Sequence, residues 1–152
     1  MSRIQRLELS ENPALVNRLK IRVRFSEVDA MRVVWHGEYV RYFEDGREAF
    51  GREFGGLNYT TITDEGYYIP ITKLELDYVM PLQHGDTAIV ETRFINAKGA
   101  KIIMEYIIYR ESDMAIAAQG RTLQLFTRVE DNKLDINTPE FFIRWKEKWG
   151  IR

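Results

Sequence analysis

The 152-residue chain contains no cysteine. That one absence removes disulfides, thiolate metal sites and thiol nucleophiles together. Histidine is nearly as scarce. His36 and His84 are the only two, too few for a His-rich metal site, and neither a metal nor a cofactor is expected. Charge of one sign is missing as well. Lys and Arg number 22 against 23 Asp and Glu, a formal net charge of −1. No global field would draw nucleic acid, and an anionic ligand must be held by a local basic patch. No apolar run approaches the ~20 residues of a membrane-spanning helix. The start, MSRIQRLELSENP, holds no apolar segment of leader length. The chain is therefore expected to act in the cytoplasm, away from membranes and nucleic acid. Also absent are a Gly-x-Ser-x-Gly elbow, a P-loop and a dinucleotide fingerprint.

What is present describes an ordinary globular domain. Hydrophobic residues make up 45% and charged residues 30%, enough apolar surface for one core at this length. A single domain over residues 1–152 is expected, with its core at about 20–129. LKIRVRF, from Leu19 to Phe25, alternates apolar and basic residues and predicts a half-buried strand. From Gly37 to about Phe54 the period changes. Tyr39, Phe43, Gly46, Phe50 and Phe54 recur at helical steps and put one aromatic face along a long helix. Gly46 in mid-helix costs about 1 kcal/mol against alanine, which predicts close approach of helix and sheet. Gly55-Gly56 ends the helix. YYIPITKLELDYVMPL, DTAIVETRFINA, KIIMEYIIYR and MAIAAQGRTLQLFTRV follow as strands, the last three as an antiparallel meander separated by turn signals. NTPEFFIRWKEKWG reads as a terminal helix at about 138–149, with Pro139 at its first position and Phe142, Trp145 and Trp149 as its docking stripe. The order is strand, long helix, four strands, terminal helix. This is an α+β domain in which a five-stranded antiparallel sheet wraps the long helix.

Between the first strand and the long helix lies SEVDAMRVVWHGEYVRYFEDGR. Its Asp29-Ala30, Val33-Val34, Trp35-His36, Tyr39, Phe43-Glu44 and Arg47 resemble the signature of the hotdog-fold acyl-CoA thioesterases of the 4-hydroxybenzoyl-CoA thioesterase family. Tyr78, Pro81-Leu82 and Gly85-Asp86 are similar to that family's strand-to-turn pattern. The likeness covers roughly Lys20 to Val129. It departs at Met31-Arg32, where many relatives carry glycine, and at Glu38, where many carry Asn.

The resemblance implies a hotdog fold, a thioester hydrolase acting on acyl-CoA, and sheets paired edge to edge in a homodimer or homotetramer with active sites at the junction. It also implies an oxyanion hole at the start of the long helix, where unsatisfied N–H groups carry partial positive charge. Asp29, on the entering loop, is then the nucleophile or the base that activates water. A turn Asp can equally bond loop amides. His36 contributes through its backbone N–H or its side chain. Arg32, Trp35, Tyr39, Tyr68 and Lys73 are candidates for holding the substrate, with Lys98 and Lys101 as further cations for the CoA phosphates. Glu44 and Arg47 fit a local helical ion pair, and His84 a structural turn position. Hotdog dehydratases and hydratases use a different His and acidic pattern, which this chain lacks. The alternatives are a non-catalytic acyl-CoA or acyl-carrier-protein binding module and an acyl-carrier-protein thioesterase.

Overall fold

The structure is a computed structural model and describes residues 4–152. Met1–Arg3, part of the predicted domain and of the start read for a leader, lie outside the described residues. Strand β1, Leu15–Arg22, alternates half-buried and exposed residues along its whole length. It begins and ends earlier than LKIRVRF suggested, because Phe25–Glu27 curl into a single 3-10 turn. The Glu27 carboxylate accepts the Arg24 N–H at 2.7 Å and turns the chain off the sheet. Helix α1, Glu38–Glu53, buries Tyr39, Phe43, Gly46 and Phe50 of the predicted face together with Tyr42 and Ala49, while Phe54, expected on that face, is the C-cap.

The segment read as one strand from Tyr67 divides in two. Strand β2 is Tyr67–Tyr68 and strand β3 is Ile71–Tyr78. Pro70 between them has no N–H for a ladder. Strands β4 (Thr87–Ile95), β5 (Lys101–Arg110) and β6 (Ala115–Leu125) follow as the meander. The five-stranded sheet has the order β1-β4-β5-β6-β3, and β2 pairs in a small second sheet with β7, Thr127–Arg128. Every pairing is antiparallel. A short helix that the sequence did not announce, α2 at Tyr59–Asp64, starts where the Asn58 side chain accepts the Thr61 N–H at 2.8 Å. Its β-branched YTTITD composition hides it. Among the described residues no helix is long and apolar enough to cross a membrane.

The sheet closes on α1 at glycine. A Cβ at Gly46 would stand 2.4 Å from Thr92 Oγ1 and 2.8 Å from Val90 Cγ1. Only hydrogen at that position lets α1 lie this close to β4. On either side Phe43 stacks on Tyr106, with centroids 4.3 Å apart, and Phe50 lies along Phe94 at 6.2 Å. Helix α3, Glu140–Lys148, adds Phe141, Phe142 and Trp145 to this core. It starts one residue later than read, since Pro139 is its N-cap.

The opposite face of the sheet is charged and nonetheless covered. Glu105, 2% exposed, meets Arg93 at 3.2 Å and Arg121 at 2.7 Å. The polar ELSENP stretch crosses above them. Ser10 donates its N–H to Glu105 at 2.8 Å, while the Ser10 and Glu8 carbonyls accept from Arg93 and Arg121. Buried charges survive because each finds several partners.

Candidate active site at the start of α1

Asp29 sits at the tip of a tight hairpin. The Trp35 N–H reaches the Glu27 carbonyl at 2.9 Å, and the Asp29 N–H reaches the Val33 carbonyl at 2.9 Å. A turn closes the tip, with the Arg32 N–H on the Asp29 carbonyl at 2.9 Å. Inside that turn Asp29 Oδ1 accepts the Met31 N–H at 2.8 Å. The turn role weighed in the sequence is therefore real, and it fixes the carboxylate by one oxygen. Arg32 occupies φ +66°, left-handed backbone that glycine adopts without strain. That is the part of the motif where the resemblance leads one to expect glycine. The base of the hairpin is tied to the sheet by the Val34 N–H on the Leu82 carbonyl at 2.8 Å and by the Val33–Gln83 bridge.

The chain then enters α1 through Trp35, His36 and Gly37. Gly37 is the N-cap and offers no side chain to the first turn. Glu38 donates its N–H to the Trp35 carbonyl at 2.9 Å. Among the described residues, neither His36 nor Gly37 gives its backbone N–H to a backbone or side-chain acceptor. These are the orphan donors of a helix start, in the positive field of its dipole. The Trp35 ring packs on Gly37, where a Cβ would come within 2.2 Å of it.

Beside these donors is a cavity of about 210 Å³, lined by Val34, His36, Tyr39, Tyr78, Val79, Met80 and Pro81. Tyr39 is buried, and its hydroxyl accepts the Leu82 N–H at 3.0 Å. The Tyr78 hydroxyl donates to the His36 carbonyl at 2.7 Å, and its ring meets Tyr39 edge-on at 5.3 Å. Burial raises the pKa of both phenols, so both stay neutral at ordinary pH.

Asp29 does not line this cavity within one chain. It stands on the hairpin whose base residue, Val34, does. Arg32 and Trp35 belong to the same neighbourhood. The other two substrate candidates do not join them. Tyr68 bonds Asn132 beside the small sheet. Lys73 lies exposed on β3, 4.0 Å from Glu75. Tyr78 and Gly37 carried no assigned role in the sequence reading. Tyr78 was visible there only as part of the strand-to-turn pattern. His84 packs edge-on against Phe25 in its turn, and Arg47 lies 3.9 Å from Glu44 while also donating to Tyr106 at 3.3 Å.

A larger groove of about 690 Å³ runs between β1 and α1, lined in part by Arg22, Arg24, Asp45, Glu48, Arg52 and His84. It contains none of the motif residues. Its walls alternate in sign, and Arg52 is paired with Glu48 at 3.1 Å. The smaller cavity at the helix start has the better chemistry, because it has largely apolar walls and includes His36, at the uncapped start of α1.

Known proteins share both the sequence and the shape. The protein named "Putative acyl-CoA thioesterase YneP" from Bacillus subtilis is 34% identical over 94 residues, which is 62% of this chain and 67% of that one. The solved structure of a DHNA-CoA thioesterase from Staphylococcus aureus superposes with a TM-score of 0.77 at 24% identity, over 88% of each chain. A 4-hydroxybenzoyl-CoA thioesterase mutant, solved with 4-hydroxybenzoyl CoA, gives a TM-score of 0.73 at 17% identity, over 86% of this chain and 97% of that one. These two structures establish a common hotdog fold. The sequence profile that describes the thioesterase-like superfamily matches residues 23–145. Hairpin, aromatic helix and every strand of the wrapped sheet except β1 fall within that span, and the chain belongs to the thioesterase-like superfamily.

Proposed function

We propose that the chain is one hotdog domain, residues 1–152, that hydrolyses acyl-CoA at the N-terminal end of α1. Asp29 serves as nucleophile or general base, and the N–H groups of His36 and Gly37 hold the oxyanion. Family membership makes the chain a thioester hydrolase. The Bacillus relative named for acyl-CoA supports that substrate. The observation that carries the site is the helix start at His36 and Gly37, whose N–H groups have no acceptor among the described residues, next to an apolar cavity that His36 lines, with the motif carboxylate on the adjoining hairpin.

Chemistry follows from this placement. The acyl group enters the cavity and its carbonyl oxygen turns toward the helix start. In the base route Asp29 takes a proton from water, and the hydroxide adds to the carbonyl carbon. In the nucleophile route the carboxylate itself adds and forms a mixed anhydride, which water then cleaves. Either way negative charge develops on the former carbonyl oxygen, where fixed donors stabilise it more than in the ground state. The C–S bond breaks, and CoA leaves as a thiolate that is then protonated. Trp35 shields the donors from one side, and exposed Arg32 is suited to a CoA phosphate.

A homodimer completes the arrangement. Among the described residues β3 has no strand on its outer side, Arg6 bonds the Tyr78 carbonyl at its end, and it carries half-exposed Leu74 and Tyr78. Such an edge needs covering, and Asp29 lies outside the single-chain cavity. Turnover of a panel of acyl-CoAs and acyl-carrier proteins by the purified protein tests the function. Cleavage of acyl-CoA is expected. Tight binding without release of free thiol would make the chain a binding module instead. Light scattering that found only 18.0 kDa particles at micromolar concentration would rule out the dimer.

A further inference from the structure

The hydroxyl of Tyr78 spans 42 residues of chain to reach the carbonyl of His36. That carbonyl belongs to the same peptide group as the Gly37 N–H. In a trans peptide the C=O and N–H point to opposite sides of the bond, so a partner that pins the oxygen also aims the hydrogen. The bond does more than aim it. Drawing electron density onto a carbonyl oxygen polarises the whole amide and strengthens its N–H as a donor. We propose that Tyr78 is a positioning residue for thioester hydrolysis, its hydroxyl aiming and polarising the His36–Gly37 peptide so that the Gly37 N–H meets the oxyanion. This rests on the reading that the oxyanion forms at the start of α1.

Three features make Tyr78 a rigid support. It is the last residue of β3 and pairs in register with Ala118, so the sheet fixes its backbone. Its ring is held edge-on by Tyr39, whose own hydroxyl is tied to the Leu82 N–H. The Gly37 N–H has no competing acceptor among the described residues. The neighbouring peptide is treated alike, since the Trp35 carbonyl accepts the Glu38 N–H. Both candidate donors therefore sit on amides whose oxygens are already engaged. Tyr78 supplies from the sheet what the helix supplies for the peptide before it.

The test uses the full chain, the best acyl-CoA found in the panel, and Tyr78→Phe beside Asp29→Asn. Phe keeps the ring and removes one hydrogen bond. The expected loss in kcat is about 3- to 10-fold, the range for one hydrogen bond, with KM within about twofold, as for a group acting on the chemical step. The second readout is the amide spectrum of protein labelled with ¹⁵N-glycine, which has 10 glycines to resolve. The Gly37 amide proton should move upfield in Tyr78→Phe while the glycines distant from it stay in place. An unchanged kcat in Tyr78→Phe beside a dead Asp29→Asn would overturn the role of Tyr78 and leave the site standing. A loss confined to KM, or a lower kcat with an unmoved Gly37 amide, would overturn it too. Full activity in Asp29→Asn would instead remove the catalytic reading on which the proposal rests.

Discussion

The two ends of α1 are finished in opposite ways. Just past the C-terminal end, the carbonyls of the C-cap Phe54 and of Gly55 are closed by indoles from α3 and its C-cap. Trp145 donates its indole N–H to the Phe54 carbonyl at 3.0 Å, and Trp149 donates to the Gly55 carbonyl at 3.1 Å. The rings pack as they bond, Trp149 edge-on to Phe54 at 5.3 Å and Trp145 against Phe94 at 5.1 Å. Helix α3 is itself locked there. Its Ile151 and Gly150 N–H groups return to the Lys146 and Glu147 carbonyls at 2.8 and 3.1 Å, a Schellman ending with Gly150 at φ +75°. At the N-terminal end, among the described residues, there is no side-chain cap and the His36 and Gly37 donors meet no acceptor. A helix start left uncapped loses about 1 kcal/mol that Ser, Thr, Asp or Asn would contribute. One end of α1 thus serves stability, and the other keeps the open donors that the proposed oxyanion site requires.

That division can be broken by substitutions at either end. The largest effect is expected from Asp29→Asn. The amide keeps the Oδ1 acceptor used by Met31, so the turn persists and stability should change by no more than about 0.5 kcal/mol. Turnover should fall by about 10²–10⁴-fold, the contribution of a general base, and further if Asp29 is the nucleophile. Kinetics and a thermal melt on the same preparation check both halves. Trp145→Ala is the mirror image. Trp145 is 3% exposed, and deleting a buried indole costs about 3–5 kcal/mol. Urea unfolding should show that loss, while kcat per folded molecule stays near the parent value. A collapse of kcat without loss of stability would mean that the two ends are not separate.

Much of this was legible in the sequence, and the rest was illegible for identifiable reasons. The aromatic face of α1 was readable from its period of 3.6, and the meander from the turn signals between strands that lie close along the chain. Gly46 predicted tight packing, and Thr92 is what it packs on. The break at Pro70 was there to be read, but the apolar run across it masked the change of sheet. The strap over Glu105 was not readable, since its bonds join Ser10 and Glu8 to residues about a hundred positions away. At the candidate site, the motif led to Asp29, His36 and their neighbours. It gave Tyr78 no role, because the bond to His36 exists only after the sheet has folded; Tyr68 and Lys73, candidates named apart from the motif, lie away from the start of α1.

Gly46→Ala probes the middle of the same helix. A methyl group there must displace Thr92 Oγ1 or Val90. Overpacking of this kind costs about 1–3 kcal/mol, and the better helix propensity of alanine returns about 1 kcal/mol of it. A net loss of about 0–2 kcal/mol in urea unfolding is expected. A gain would show that sheet and helix can part there freely.

Trp149→Phe should give the smallest effect and the sharpest reading of the C-terminal end. Trp149 is only partly buried, and phenylalanine keeps an aromatic ring against Phe54. What disappears is one N–H bond to the Gly55 carbonyl. Because water can reach that partly exposed carbonyl, the loss should stay within the net value of one hydrogen bond, about 0.5–1.5 kcal/mol. Trp145 continues to hold Phe54, so α3 remains docked. Its amide hydrogen exchange should quicken only in the last turn, from Lys146 to Ile151. If instead all of α3 lost protection, the two indoles would form one cooperative clamp. The C-terminal end of α1 would then depend on α3 as a unit and not on two separable bonds.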